Sequence, residues 1–314
     1  MAVKTSFRDE ELSHLLGPYD IGDLLTASPT AEGTVQTNIR IGTTTGQYVF
    51  RYYENRTRSS AMFETDLLAF LQSSEFPAPV PQLTNAGIHV AMYRGKPYAI
   101  FGFMTGQRVN RLSWPQCADL IKHVALLHNV TKSYKPEISE DRAHYTRDFC
   151  SKRAQNLSRQ AASQQGSDKA AWIDLQLSLL DLPETIPKGI CHCDFDLSNL
   201  LFHGDRLTAL LDFDDANYTY QSFDLVHLVE SHAWPHGGEY DRIKACRVIR
   251  EYQRNRAMDP LEIRHFFDVC KLSILVDSLW FFDRGRLPDF NEKRKIEFLD
   301  SIGREAFEEW LRDT

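Results

Sequence analysis

The segment Ile190–Ala216 reads ICHCDFDLSNLLFHGDRLTALLDFDDA. It sets six Asp, two Cys and two His among apolar residues that read as buried strands. LLF at 200–202 and LTALL at 207–211 flank His203-Gly204-Asp205. Apolar runs on either side of turn residues predict a β-hairpin. That hairpin would bring Asn199, at its start, close to Asp212, at its end, with Asp194 on the loop just before it. Phosphoryl transfer needs such a set. One carboxylate orients and deprotonates the attacking hydroxyl, while a carboxylate and an amide oxygen hold Mg²⁺, which prefers hard oxygen ligands and keeps several waters. Apolar strands beneath would hold the polar groups rigidly. Asp and Asn before a strand are also ordinary turn formers; the hairpin and Asp212 tip the balance towards a site.

The rest of the chain is consistent with a two-part enzyme. It has 314 residues, 42% hydrophobic and 25% charged, enough to bury a substantial core. The formal net charge of −7 argues against nonspecific nucleic-acid binding and is compatible with a cationic substrate. No apolar leader opens the chain and no run approaches the roughly 20 apolar residues of a membrane span, so a cytoplasmic location is the expectation. The six cysteines do not suggest a disulfide framework in a reducing compartment. Cys191 and Cys193 could converge on one strand face. No second Cys/His cluster completes a four-ligand zinc site, so they read as small buried hydrophobes.

Asp9 to Leu16 predicts a short helix stopped by Gly17-Pro18. Strands are predicted in DLLTASP, TVQTNIRIGT and QYVFRYY. A helix follows over SSAMFETDLLAFLQSS, then two strands around Arg94-Gly95. Beyond Gly106 the pattern turns helical. Ser113 caps one helix with Gln116 at the capping-box position. Ser151 to Leu182 reads as helical. Asp259-Pro260 opens a helix that runs, apolar on nearly every side, to Asp283, and Asn291 to Leu311 predicts one amphipathic helix. The expected organisation is α+β: a smaller antiparallel-sheet lobe with one helix over residues 1–103, and a larger, mainly helical lobe over 104–314.

HCDFDLSNLLF…LLDFDDA resembles the catalytic segment of the aminoglycoside phosphotransferase and choline kinase superfamily, H-x-D-x-x-x-x-N followed by a hydrophobic residue, D and F. Asp9 to Glu54 looks like the amino-terminal lobe of the bacterial homoserine kinases of that fold. The resemblance implies a two-lobed, protein-kinase-like fold and an ATP- and Mg²⁺-dependent kinase acting on a small hydroxyl substrate. It implies that Asp194 is the catalytic base, that Asn199 and Asp212 are Mg²⁺ ligands, and that His192 and Asp224 support the catalytic loop. Arg51 would contact phosphates and pair with Glu64. Arginine stands where the superfamily often has lysine; it keeps the charge, but a one-residue register slip would turn it away. Gly33 lies in the phosphate loop, and Gly102, Phe103 and Met104 would offer backbone to the adenine. Asp196, Asp214 and Asp215 are acceptor-side candidates, the last two for a substrate amine. Homoserine is the first candidate acceptor, with an aminoglycoside, another amino alcohol or a sugar as alternatives. A noncatalytic nucleotide-binding protein is opposed by the intact Asp194, Asn199 and Asp212. A protein kinase is opposed by the absence of an obvious activation segment after Asp212.

Overall fold

The structure, a computed structural model, describes residues 4–30, 35–137, 142, 145–234, 239–288 and 290–312. Helix α1 (Asp9–Leu16) precedes strands β1 (Leu24–Pro29), β2 (Thr37–Thr43) and β3 (Gln47–Tyr52). Helix α2 (Arg58–Gln72) then leads to β4 (Ala91–Tyr93) and β5 (Lys96–Gly102). The strands form one antiparallel sheet in the order β1-β2-β3-β5-β4. Arg94 (φ 49°) and Gly95 (φ 78°) make the left-handed pair that a tight two-residue hairpin requires between β4 and β5.

Side chains alternate between the two faces of a strand. Ile39, Ile41, Phe50, Tyr52, Tyr98 and Ile100 bury together with Leu12, Leu15 and Leu16 of α1. With Phe50 and Tyr52 committed to that core, Arg51 must project from the opposite face. There it lies across from Asn38 on β2 and Ala99 on β5. The α1-side core thus fixes the register on which the Arg51 assignment depends.

Helix α3 (Trp114–Val130) begins with the expected cap: the Gln116 N–H donates to Ser113 Oγ at 3.3 Å, and the Ser113 N–H to Gln116 Oε1 at 3.0 Å. Helices α4 (Arg147–Ala161) and α5 (Gln164–Ser178) follow, then β6 (Lys188–Cys191), β7 (Leu200–His203), β8 (Arg206–Leu210) and β9 (Asn217–Tyr220). The remainder is helical: α6 (Ser222–Ala233), α7 (Arg242–Asn255), α8 (Pro260–Arg264), α9 (Phe266–Asp283), α10 (Phe290–Ile302) and α11 (Arg304–Arg312). β7 and β8 form the expected hairpin, Leu200 opposite Leu210, turning at Gly204 (φ 60°). The flanking strands β6 and β9 pair with each other.

Three predicted helical runs are each divided. Ser151 to Leu182 is shared between α4 and α5, which part at left-handed Ala162 (φ 45°). The run after Pro260 breaks at His265, whose ring Nδ1 bonds the Asp181 carbonyl at 2.9 Å. The last helix breaks at Gly303, which adopts φ 80°. A left-handed residue ends a helix most easily when it has no Cβ.

The chain divides into two compact units. The first holds Met1–Asp119, Lys135–Arg142 and Asp194–Ala216, so the β7–β8 hairpin groups with the five-stranded sheet. The second holds Leu120–Tyr134, Ala143–Cys193 and Asn217–Thr314. No helix among the described residues is long and apolar enough to cross a membrane.

Candidate active site

Within the first unit, three of the sequence-selected polar residues gather around the hairpin. Asn199 Nδ2 donates to Asp194 Oδ2 at 2.9 Å, closing the loop between them. The Leu211 N–H donates to the Asn199 carbonyl at 2.8 Å, adding one rung beyond β7–β8 and drawing Asp212 to the same end of the hairpin. Asp212 is left-handed, with φ 61° and ψ 67°. Asp and Asn tolerate that region better than most residues, at a cost of roughly 1–2 kcal/mol.

Arg51 reaches this end from β3. Its Nη1 donates to Asp212 Oδ1 at 3.0 Å and to Glu64 Oε1 at 2.7 Å, and its Nε donates to Asn38 Oδ1 at 3.1 Å. Burial opposes the charged guanidinium, but Glu64 and Asp212 outweigh it and raise its pKa well above the ordinary arginine value. Glu64, on α2, is 2% exposed and also accepts the Tyr53 hydroxyl at 2.7 Å. Burial pushes its carboxyl up to about 7, against the pull of Arg51, with the charges of Asp214 and Asp212 adding to the rise. The expected Arg51–Glu64 pair is therefore present, and Asp212 shares its cation.

Two oxygen atoms at the hairpin end accept nothing from the described residues: Asn199 Oδ1 and Asp212 Oδ2. Both are hard donors of the kind a Mg²⁺ ion takes, so this donor set fits the ion.

Asp224 and His192 belong to the second unit and are fully buried. Asp224 Oδ2 accepts the His192 N–H at 2.8 Å and Oδ1 accepts the Cys193 N–H at 2.9 Å. These are the two residues that immediately precede Asp194 in the chain. Cys193 is itself left-handed (φ 65°), and the carboxylate holds that conformation from its amide. Asp224 also meets His128 Nε2 at 3.1 Å, and His128 Nδ1 lies 2.5 Å from the Tyr252 hydroxyl. Burial opposes charge on both groups, yet their mutual contact lowers the Asp224 pKa, and Tyr252, Asp224 and Cys191 raise that of His128. The His128 contribution to stability is therefore complete below pH ~6.5 and is lost as pH rises through its elevated pKa. The Asp224 contribution is lost as pH falls below the carboxylate range. Asp224→Ala would strand two amides and a buried cation. It is expected to cost about 3–5 kcal/mol of unfolding free energy, read by urea denaturation. A loss below about 1 kcal/mol would remove Asp224 as the support of this loop.

The other candidates separate. Gly33 lies outside the described residues. The Gly102 N–H is committed to the Val80 carbonyl at 2.8 Å and the Phe103 N–H to the Gln47 carbonyl at 3.1 Å. The Met104 N–H bonds none of the described residues. Asp196 is exposed, and its Oδ1 accepts the Ser198 N–H at 2.8 Å and the Ser198 hydroxyl at 2.6 Å, capping the turn that leads to Asn199. Asp214 is buried and both its oxygens accept from Arg56, so its charge is already matched. Asp215 is half exposed and accepts from the same Arg56 at 2.6 Å. Arg56, Gln36, Tyr53, Arg142 and His128 also hold this site or its support, and no motif in the sequence marks them. His128 closes a recognisable apolar helix; the others stand on loops and strand ends without a periodic signal.

The pattern of the phosphotransferase enzyme family matches residues 26–256. The homoserine kinase of Caulobacter sp. (strain K31) is 28% identical over 268 residues, covering 83% of this chain and 82% of that protein. The homoserine kinase of Methylobacterium sp. (strain 4-46) is 28% identical over 314 residues, covering 96% and 89%. Among solved structures, the amicoumacin kinase hAmiN, in complex with AMP-PNP, Ca²⁺ and Ami, superposes with a TM-score of 0.67 at 14% identity, over 96% of this chain and 94% of that one. The microcompartment-associated aminopropanol kinase gives 0.57 at 16% identity, over 96% and 92%. Those likenesses bear out the α+β, protein-kinase-like fold. With the family pattern spanning most of its length, the chain belongs to the phosphotransferase enzyme family.

Proposed function

We propose that this protein transfers the γ-phosphate of ATP to the hydroxyl of a small amine-bearing alcohol, with homoserine the first candidate. The observation that carries the reading is the convergence of Asp194, Asn199 and Asp212 at one end of the hairpin, with Arg51 bridging Asp212 to Glu64. The homoserine kinase relatives, aligned over most of both chains, support the acceptor class.

In this reading Asp194 accepts the hydroxyl proton as the new P–O bond forms and the bond to the ADP oxygen breaks. Asn199 Nδ2 holds the Asp194 carboxylate in one orientation for that transfer. Arg51, restrained by Glu64, binds the α- and β-phosphates and stabilises charge on the leaving ADP. The Met104 N–H, left open, would meet the adenine edge. A Mg²⁺ ion held by Asn199 Oδ1 and Asp212 Oδ2 would neutralise phosphate charge when bound.

Glu64 makes this machinery pH-dependent. Arg51, Tyr53, Asp212 and Asp214 face it, and its pKa is raised to about 7. Between pH ~4.5 and ~7 the folded protein keeps a proton the unfolded chain has lost, so this group's contribution to stability falls as pH rises through that window. Activity should move the other way, because ionised Glu64 is what holds Arg51. kcat/KM is expected to rise about tenfold through pH ~7, and Glu64→Gln should flatten that limb. A wild-type limb that persists unchanged in Glu64→Gln would assign it to another group.

The acceptor is tested by ATP consumption with homoserine, choline, ethanolamine, methylthioribose and several aminoglycosides. Stimulation by homoserine alone is the expected result. Stimulation by an aminoglycoside instead would move the acceptor class. Silence across the panel, with nucleotide still bound, would leave a noncatalytic nucleotide-binding protein.

A further inference from the structure

The Asp212 conformation needs a cause. Its left-handed backbone is costly, no side-chain cap closes its turn, and Arg51 holds only one of its carboxylate oxygens. Such a conformer persists only where its surroundings over-determine it. The restraint comes from the residues just after it.

Asp214 Oδ1 accepts Arg56 Nε at 2.9 Å; its Oδ2 accepts Arg56 Nη2 at 3.1 Å and Gln36 Nε2 at 2.9 Å. Gln36 is fixed in turn: its Oε1 accepts the Glu54 N–H at 2.8 Å, and its Nε2 also donates to Asn55 Oδ1 at 2.9 Å. The backbone of the same turn is held separately. Buried Arg142 donates through Nη2 to the carbonyls of Asp214 and Ala216, and through Nη1 to the carbonyl (2.8 Å) and hydroxyl (3.1 Å) of Ser60 on α2. Its guanidinium lies 4.0 Å above the Phe63 ring. One arginine thus ties the turn's side chain to the loop after β3, and the other ties its main chain to the helix that carries Glu64.

We infer that Asp214 is a positioning residue: gripped by Arg56 and Gln36, and with its main chain held by Arg142, it fixes the left-handed turn that presents Asp212. A forked arginine on a buried carboxylate sets both distance and orientation, which a lysine does not. The same contacts withhold Asp214 from a substrate amine. The functional consequence rests on the reading of Asp212 as a Mg²⁺ ligand.

Arg56→Lys keeps the charge and loses the fork; Gln36→Met leaves the fork, removes the third hydrogen bond that the Asp214 carboxylate accepts together with the Gln36 bonds to Asn55 and the Glu54 N–H, and is the second variant should Arg56→Lys fail to fold. Two measurements are made on the full chain. The first is amide hydrogen exchange of Leu211 and Ala216 without ligand. These amides donate to Asn199 and Phe213 across the turn. The expected result is exchange about tenfold faster in Arg56→Lys and about threefold faster in Gln36→Met. The second is the Mg²⁺ concentration for half-maximal phosphoryl transfer, expected to rise about tenfold in Arg56→Lys while KM for the acceptor stays within about twofold. Unchanged exchange overturns the clamp. Faster exchange with an unchanged Mg²⁺ requirement makes Asp214 structural only and overturns the positioning role. A wild-type protein without phosphoryl transfer would sink the proposed function instead, and the exchange arm alone then decides the clamp.

Discussion

Asp194→Asn is expected to lower kcat by about 10³-fold while Mg·nucleotide binding stays within about twofold. The substitution keeps the side chain's size and an oxygen for the Asn199 Nδ2 hydrogen bond, so the loop geometry should survive. What it removes is the ability to take a proton from the acceptor hydroxyl. Single-turnover phosphoryl transfer and nucleotide titration, run on the same preparation, separate the two effects. A variant within about tenfold of wild type in kcat would take Asp194 out of the chemistry.

Asp212→Asn carries the second large effect. Asparagine adopts the left-handed backbone about as readily as aspartate, so the φ of 61° can be retained and only the charge is lost. With one anionic ligand gone, the Mg²⁺ needed for half-maximal activity should rise at least tenfold, and kcat/KM at fixed Mg²⁺ should fall about 10²–10³-fold. Loss of the negative charge beside Arg51 adds to this, because Glu64 is then the carboxylate left in contact with the guanidinium. Asp212→Ala should be worse in stability as well, since alanine is poorly suited to that conformation. Equal Mg²⁺ titration curves for wild type and Asp212→Asn would exclude Asp212 as a ligand.

The legible part of the site was its local part. Asp194, Asn199 and Asp212 lie within one hairpin and its approach loop, where turn residues and apolar runs dictate which ends meet. The family resemblance paired Arg51 with Glu64, but their places on a strand and a helix do not by themselves turn them to face each other. That needed Phe50 and Tyr52 to sink into the α1-side core. The partners of the carboxylates after Asp212 were hidden for a related reason. Nothing near 214 in the chain announces that Arg56, Gln36 and Arg142 will close on it, the nearest of them 72 residues away. The helix breaks divide along the same line. Gly303 is a local stop signal that the expected single helix ran through; His265 carries no such signal, because its partner Asp181 comes from a distant loop.

By itself the sequence determined the strands and helices of the first hundred residues, the hairpin, and the chemical types at its open end. These depend on residue period, turn chemistry and caps, which act over a few residues. The tertiary structure alone decided which carboxylates are free and which are spent. Among the described residues, Asp212 keeps one open oxygen, whereas buried Asp214 has none. That difference comes from cations brought in from far along the chain, and a buried charge is governed by whatever partner the fold sets beside it.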